Sequence, residues 1–184
     1  EELVSLRDVM ESMVSIVQPQ VKAKHQKFNI SIFNILSENV HCDSVRLNQV
    51  LINLLSNAIK FTPENGSIDV SLHEEPSPRG DDYVRILIQV KDTGIGMSEE
   101  FRQHIFESFA REDNKRIHRT EGTGLGMAIT KYIVDAMKGE ITVESKQGVG
   151  TTYTITLPFV IDSTEAAEPE QQQTDLAVLQ LSLI

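Results

Sequence analysis

A regular strand pattern stops at the stretch Asp92-Thr93-Gly94-Ile95-Gly96-Met97. Apolar residues recur at every second position from Val84 to Val90, which is the period of a strand with one buried face. The two glycines that follow favour a turn, because glycine tolerates backbone angles that other residues avoid. Asp92 then offers a hydrogen-bond acceptor that the missing glycine side chains leave accessible to a flat ligand. Taken alone, the stretch fits an ordinary strand-end turn with a solvated Asp even better.

The composition is that of one globular domain. The chain has 184 residues, of which 40% are apolar and 24% are charged. No apolar run approaches the roughly 20 residues that a membrane-spanning helix needs. The one cysteine, Cys42, excludes an internal disulfide and suits a reducing compartment. Its apolar strand setting predicts a buried, unreactive thiol.

The formal net charge of −10 argues against nucleic acid as a partner, because phosphate-binding surfaces need clustered Lys and Arg. The same negative charge would repel any phosphate ligand. A nucleotide would need local positive potential from a metal ion, from backbone N–H groups and from a few well-placed cations.

Periodicity predicts the order of helices and strands. A helical pattern runs from Leu3 to about Lys24, and Pro19 should kink or restart that helix. The strand over 68–72 should pair with the strand that ends at Asp92, as an antiparallel hairpin. Alternation predicts further strands at residues 28–32, 39–42, 141–143 and 153–159.

A long helix follows Asp43 and Ser44, either of which can cap it. Its apolar residues form a broad stripe. Asn53, Asn57 and Lys60 fall at i, i+4 and i+7, so they share a different face. The other side of the helix packs on the domain, so this face with two amides and an ammonium is predicted to line a ligand pocket. Two incidental surface asparagines would give the same spacing.

A basic segment at residues 111–120 contains one sizeable apolar side chain, Ile117. Ordering ten residues costs roughly 10–20 kcal/mol of backbone entropy. Burying one Ile returns only about 1.5–3 kcal/mol. We therefore expect a mobile lid that an anion would order.

A glycine-rich stretch, Glu121 to Met127, opens the next helix. Its alternate glycines expose backbone N–H groups where a helix N-terminus is partially positive, which predicts an anion site. The spacing matches neither a P-loop nor a dinucleotide-binding fingerprint. The helix should end at Gly139 and bury one face, formed by Ile129, Tyr132, Ile133, Ala136 and Met137.

The chain ends in an acidic, Gln-rich stretch from Ile161 onward, which has the composition of a linker. The last residues, 176–184, are apolar. Three arrangements are open for them: docking on the domain, starting a further domain, or pairing between chains.

Four of these stretches together resemble the ATP-binding catalytic domain of sensor histidine kinases, within the wider class of gyrase, heat-shock chaperone and mismatch-repair ATPases. They occur in the family's order and spacing and cover about residues 28–160. They are Asn53–Phe61 (the N box), Asp92–Gly96 (the first glycine box), Phe106–Phe109 (the F box) and Gly122–Gly126 (the second glycine box).

The resemblance implies an α+β fold, a two-layer α/β sandwich of the Bergerat type. A mixed, mostly antiparallel sheet would pack on three helices, with a mobile ATP lid. It also implies three segments: a helix at 1–26 that links from a dimerisation and phosphoacceptor domain, the ATP-binding catalytic domain at 27–160, and an acidic linker with a short apolar tail at 161–184.

The resemblance also assigns roles around ATP and Mg²⁺. Asp92 would accept a hydrogen bond from the adenine amino group. Asn57 is the first choice for the metal and Asn53 the second, and Lys60 would contact phosphate. Thr151 takes the family's threonine position near adenine, although Thr152 beside it leaves that assignment open. The remaining nucleotide-binding positions implied are Phe61, Gly94, Ile95, Gly96, Met97, Phe109, Arg116, Gly122, Thr123, Gly124, Leu125 and Gly126.

The implied activity is transfer of the ATP γ-phosphoryl to a histidine. None of the five histidines sits in the family's acceptor pattern, so the acceptor is expected before Glu1, in a dimerisation domain of the same full-length protein. Further expectations are a response regulator as partner, a homodimeric full-length protein, a monomeric isolated domain, and a cytoplasmic location, either free or as part of a membrane-anchored sensor.

Two other functions stay open. The chain could be a binding module in which ATP is only a conformational ligand. It could also be an ATP-hydrolysing relative of the chaperones and topoisomerases. In those relatives the first N-box position is typically an acidic base that activates water, and Asn53 at this position counts against hydrolysis.

Overall fold

The structure, a computed structural model, describes residues 1–107, 126–161 and 179–183. The predicted lid at 111–120 lies outside these residues, and so do Phe109, Arg116 and the stretch 122–125. Twelve elements follow one another along the described chain: β1 Glu2–Ser5, α1 Leu6–Ala23, β2 Lys27–Phe33, β3 Asn39–Cys42, α2 Ser44–Phe61, β4 Ser67–Pro76, β5 Tyr83–Asp92, α3 Glu99–His104, α4 Gly126–Ala136, β6 Glu140–Lys146, β7 Gly150–Ile161 and β8 Leu179–Leu183.

The strands form one open, mixed sheet. In the described residues its order is β1-β3-β7-β5-β4-β2-β8, and β6 pairs with the first half of β7. The pairing of β2 with β4 is parallel, and every other described pairing is antiparallel. The predicted hairpin of β4 and β5 is confirmed, with Ile68 opposite Asp92. The α+β fold class is confirmed with it.

One face of the sheet is buried under the three longer helices. Along β5, Val84, Ile86, Ile88 and Val90 are buried, as their alternation predicts. They join the apolar stripes of α1, α2 and α4 in a single core. A two-layer sandwich follows, because strands and helices each have one apolar face to cover.

The first helix differs from its prediction at two points. Residues 2–5 form strand β1, and α1 begins at Leu6, because the Ser5 hydroxyl caps it by accepting the Asp8 N–H. Pro19 lies inside α1, and the helix continues through it without restarting. Pro19 and Ser15 are both on the exposed face, where water can satisfy the carbonyl that loses its hydrogen bond.

Helix α4 buries a different face from the predicted one. Its buried residues are Met127, Thr130, Ile133 and Val134. Ile129 is 40% exposed, Tyr132 is 74% exposed and Ala136 is exposed as well, so the predicted stripe is wrong at these three positions. The helix stops as expected before Gly139. Lys138 adopts the left-handed conformation there (φ 63°), and the Gly139 N–H closes the helix on the Val134 carbonyl.

Within the described residues, no helix is long and apolar enough to cross a membrane.

Candidate functional site

The carboxylate of Asp92 is buried at the end of β5 and is only partly satisfied. Its Oδ1 accepts hydrogen bonds from the Gly94 N–H at 2.8 Å and from the Thr151 N–H at 3.3 Å. The residue is 7% exposed, and burial raises its pKa, against the opposing effect of these two hydrogen bonds. Its Oδ2 makes no hydrogen bond to any residue that the structure describes. The site therefore holds one oriented oxygen that a ligand N–H could use.

The turn after Asp92 is held from two sides. The Ile95 N–H donates to the Phe61 carbonyl at 3.1 Å, at the end of α2. The Ile95 carbonyl accepts from the Gly148 N–H at 2.7 Å, in the turn between β6 and β7. A Cβ at Gly94 would lie less than 3.0 Å from the Phe61 carbonyl oxygen, so only glycine allows this approach.

Gly96 also needs to be glycine. It has φ +65°, and a Cβ there would collide with the Lys146 carbonyl. Met97, the next residue, donates its N–H to the Ser145 hydroxyl at 2.9 Å. The first glycine box is thus a rigid turn fixed between α2 and β6.

Thr151, rather than Thr152, lies beside Asp92. The two residues are cross-strand partners in the pairing of β5 with β7, and Thr151 is buried. Its hydroxyl lies 2.8 Å from the hydroxyl of Ser145, which also donates to the Gly150 carbonyl. Thr152 points to the other face, because successive strand residues alternate. Ser145 was missed in the sequence, where no motif marks it.

The asparagines of α2 point toward α4. The Asn53 amide donates to the Thr130 hydroxyl at 3.2 Å, and that hydroxyl donates to the Gly126 carbonyl at 2.8 Å. The Asn57 amide donates to the Met127 sulfur at 3.1 Å. Both amide nitrogens are therefore committed to α4. The hydrogen bonds set this amide orientation, with both nitrogens toward α4.

The same orientation leaves the two amide oxygens without a hydrogen-bond donor among the residues that the structure describes. Amide oxygens are ligands that Mg²⁺ accepts. Among the residues that the structure covers, no three His, Cys, Asp or Glu side chains come together as a metal site. The donor set at α2 fits a hard cation that takes most of its ligands from phosphate and water. It does not fit zinc or another metal that needs a histidine or cysteine cluster.

Lys60 and Phe61 connect the two halves of the site. The Lys60 ammonium lies 5.3 Å from the centroid of the Phe61 ring, and the Phe61 carbonyl holds the turn at Ile95. Asp92, Gly94–Met97 and Thr151 therefore form one group at the strand end. Asn53, Asn57 and Gly126 form a second between α2 and α4.

Two further side chains, which no sequence pattern predicts, meet the end of α2. The Lys24 ammonium donates to the carbonyls of Ile59 at 2.7 Å and Thr62 at 2.8 Å, and lies 3.3 Å from that of Lys60. The buried Gln26 amide donates to the Ile59 and Thr62 carbonyls at 3.0 and 2.7 Å. These contacts span more than 30 residues, so local patterns could not reveal them.

The chain matches one protein family over most of its length. The family is described as histidine kinase-, DNA gyrase B-, and HSP90-like ATPases, and the match covers residues 42–161. This interval contains both groups of the site and the whole of α2.

The chain is similar in sequence to several bacterial sensor kinases. It is 38% identical over 167 residues to the autoinducer 2 sensor kinase/phosphatase LuxQ of Vibrio vulnificus (strain YJ016). This alignment covers 91% of this chain and 19% of LuxQ. It is 35% identical over 153 residues to the sensor histidine kinase GacS of Pseudomonas protegens, covering 83% of this chain and 16% of GacS. The chain thus spans about a fifth of the length of these relatives.

Two solved structures share the fold. Full-length ShkA in complex with AMPPNP matches with a TM-score of 0.72 and 27% identity, over 88% of this chain and 31% of that one. The mycobacterial sensor histidine kinase MprB matches with a TM-score of 0.70 and 26% identity, over 88% of this chain and 100% of that one. The chain therefore belongs to the histidine kinase-, DNA gyrase B-, and HSP90-like ATPases and is homologous to the catalytic domains of sensor histidine kinases.

Proposed function

We propose that this chain binds ATP with Mg²⁺ and presents the γ-phosphoryl group for transfer to a histidine of a dimerisation domain. The observation that carries the proposal is Asp92. Its Oδ1 is fixed by two backbone N–H groups while its Oδ2 has no described protein partner. A buried acceptor left open in this way matches the exocyclic amino group of adenine, which is a donor.

The other residues supply what a triphosphate needs on a chain of net charge −10. Asn57, with Asn53 second, would hold Mg²⁺ through its amide oxygen, and Lys60 would contact a phosphate. The bound metal would neutralise charge on the phosphate oxygens. The glycines at 122, 124 and 126 would donate backbone N–H groups, and Arg116 and Phe109 would line the nucleotide. Of these five, the structure describes Gly126.

The transfer breaks the bond between the γ-phosphorus and the oxygen that bridges it to the β-phosphate, and ADP leaves. A bond forms between that phosphorus and an imidazole nitrogen of the acceptor. The chain contributes alignment and charge neutralisation rather than a covalent step. We place the acceptor on another domain because none of the five histidines stands in the family's acceptor pattern. His104, for example, lies on the short helix α3 rather than on a long dimerising helix.

We also propose the three segments 1–26, 27–160 and 161–184, a response regulator as the next acceptor, a homodimeric full-length protein and a cytoplasmic site of reaction. The buried residues of α1 belong to the same core as the sheet, so the linking segment 1–26 would pack firmly against the catalytic domain.

Calorimetric titration with two purine nucleotides tests the adenine assignment. Inosine triphosphate is a matched control, because it carries an oxygen where ATP carries the amino group. We expect ATP with Mg²⁺ to bind at one site and inosine triphosphate to bind at least about 30-fold more weakly, since an acceptor would face an acceptor. Equal affinity for the two nucleotides would exclude the role of Asp92.

Mixing the chain with Mg²⁺, γ-labelled ATP and a histidine-bearing dimerisation domain tests the transfer. Acid-labile label on histidine supports the kinase. ATP binding without label on histidine supports a module in which ATP is only a conformational ligand, and release of phosphate with no labelled protein supports a hydrolase.

A further inference from the structure

The side chains of Lys24 and Gln26, which we call the α2 clamp, hold the C-terminal end of α2 from the turn between α1 and β2. Together they donate five hydrogen bonds to three backbone carbonyls, those of Ile59, Lys60 and Thr62. The last carbonyls of a helix have no partner within the helix, and a cation is favoured there by the helix dipole. The clamp meets both needs with one ammonium and one buried amide.

The clamp is more than a surface contact. Gln26 is 3% exposed, and burial of the Lys24 ammonium lowers its pKa. The backbone of the same turn is also engaged, since the Lys24 carbonyl accepts the Asn65 N–H at 3.3 Å. The end of α1 and the end of α2 are thus fixed to each other by both side chains and main chain.

The segment that the clamp holds carries part of the candidate site. Ile59 and Thr62, whose carbonyls it binds, flank Lys60 and Phe61. The Phe61 carbonyl accepts the Ile95 N–H, and the adjacent Gly94 N–H donates to Asp92 Oδ1 at 2.8 Å. Three successive contacts therefore lead from Lys24 to the buried carboxylate, by way of the α2 terminus and the glycine turn.

We propose that Lys24 and Gln26 are positioning residues for the nucleotide site, which set the place of the last α2 turn and, through Phe61, of the turn at Gly94 and Ile95. This proposal rests on the proposed function for its effect on ATP. The structural part of the proposal, the link from Lys24 to the Ile95 amide, is independent of the proposed function.

The test compares Lys24→Met with Lys22→Met in the full chain. Both changes remove one ammonium near the end of α1, and the exposed Lys22 side chain makes no hydrogen bond or ion pair with α2 in the described part of the chain. Two quantities are measured at a temperature where both variants are folded: the ATP dissociation constant with Mg²⁺ and the amide ¹H–¹⁵N resonances. Lys24→Arg, which keeps a cation and several donors, serves as the rescue variant. Gln26→Met, which keeps the volume and removes the donors, is used if Lys24→Met does not fold.

We expect Lys24→Met to shift the Ile95 and Gly94 amide resonances and to weaken ATP binding at least about fivefold, because charge-assisted hydrogen bonds are lost. Lys24→Arg should restore most of the affinity, and Lys22→Met should change neither quantity. A residue that only stabilises the fold would lower the melting temperature and leave the ATP affinity of the folded protein unchanged.

The outcomes separate the two proposals. If the unmodified chain does not bind ATP, the proposed function fails, and the amide resonances still decide whether the clamp positions the turn. If it binds ATP and Lys24→Met binds equally well with unshifted Ile95 and Gly94 amides, the positioning role is overturned. The same criteria, ATP affinity and the Ile95 and Gly94 amide resonances, apply to Gln26→Met.

Discussion

Asp92 shows how a binding residue can work against folding. Burial disfavours its charged form and raises its pKa, although two backbone N–H groups oppose the shift. Because the folded pKa is above the unfolded value, the folded chain binds more protons between those two values. The stability that this carboxyl contributes is therefore greatest below its unfolded pKa and falls as pH rises through the folded pKa.

Asp92→Asn should separate stability from binding. The amide oxygen can accept from the Gly94 and Thr151 N–H groups, while the amide nitrogen replaces the unused carboxylate oxygen. At neutral pH we expect a melting temperature equal to or above that of the unmodified chain, because no charge is buried. ATP affinity should fall at least about 30-fold, since a donor would face the adenine amino group.

Calorimetry and thermal unfolding of Asp92→Asn between pH 3 and pH 7 provide the measurements. The stability difference from the unmodified chain should shrink at the acid end, where Asp92 is protonated. A variant that binds ATP normally would contradict the adenine assignment, and one that unfolds at neutral pH would contradict the account of the buried charge.

At the scale of elements, the turn between β6 and β7 acts as a support for β5. Gly148 and Gly150 both have positive φ, at +81° and +148°. A Cβ at Gly148 would meet nothing within 4 Å, whereas a Cβ at Gly150 would collide with the Asp92 carbonyl oxygen. The two glycines therefore differ in their backbone angle φ and in the space around them, because only Gly150 closely approaches the end of β5.

Replacing each glycine by alanine compares a position that faces open space with one that meets the end of β5. Gly148→Ala should cost about 1–2 kcal/mol of unfolding free energy, for backbone strain alone. Gly150→Ala should cost about 3 kcal/mol or more, because the strain is joined by a collision with backbone. Urea unfolding measures both. Equal costs would show that the turn can move away from Asp92 freely.

Elements whose neighbours lie nearby in sequence were predicted well. The Asp43 carboxylate caps α2 by accepting the Arg46 N–H, and the alternation before Asp92 gave β5 correctly. Helix α4 was predicted less well, because its buried face includes Thr130. A count of apolar residues cannot find a threonine that is fully buried by pairing with Asn53, 77 positions earlier.

The candidate site divides in the same way. Asp92, Gly94 and Asn57 stand in recognisable motifs, so the sequence could name them. Lys24 and Ser145 contact partners that only the sheet and the helix packing bring close, so sequence patterns could not identify these two residues. Their roles toward a nucleotide, like the lid at 111–120, remain predictions.

At the scale of the whole molecule, the apolar tail completes the sheet. Of the three arrangements open from sequence, the structure has β8 docked on the domain, antiparallel to β2, with Leu181 opposite Ile30. In this way β8 covers an edge that β2 would otherwise present to other chains, since an unpaired edge invites further strands.

Deleting residues 179–184 should uncover that edge. Alternate amides of β2 point toward β4 and toward β8, so every second amide in residues 27–33 should lose protection from hydrogen exchange. The amides that point toward β4 serve as the internal control and should keep theirs. Unchanged exchange at all β2 amides would mean that β8 leaves the edge in solution.

Cys42 has a practical consequence for such work. It is the one cysteine in the chain, it is 2% exposed, and burial, reinforced by nearby acidic groups, raises its pKa to about 11. A maleimide dye or spin label needs an accessible thiolate, which Cys42 does not offer in the folded chain. A cysteine introduced on the surface would therefore be labelled selectively, with the native thiol left in place.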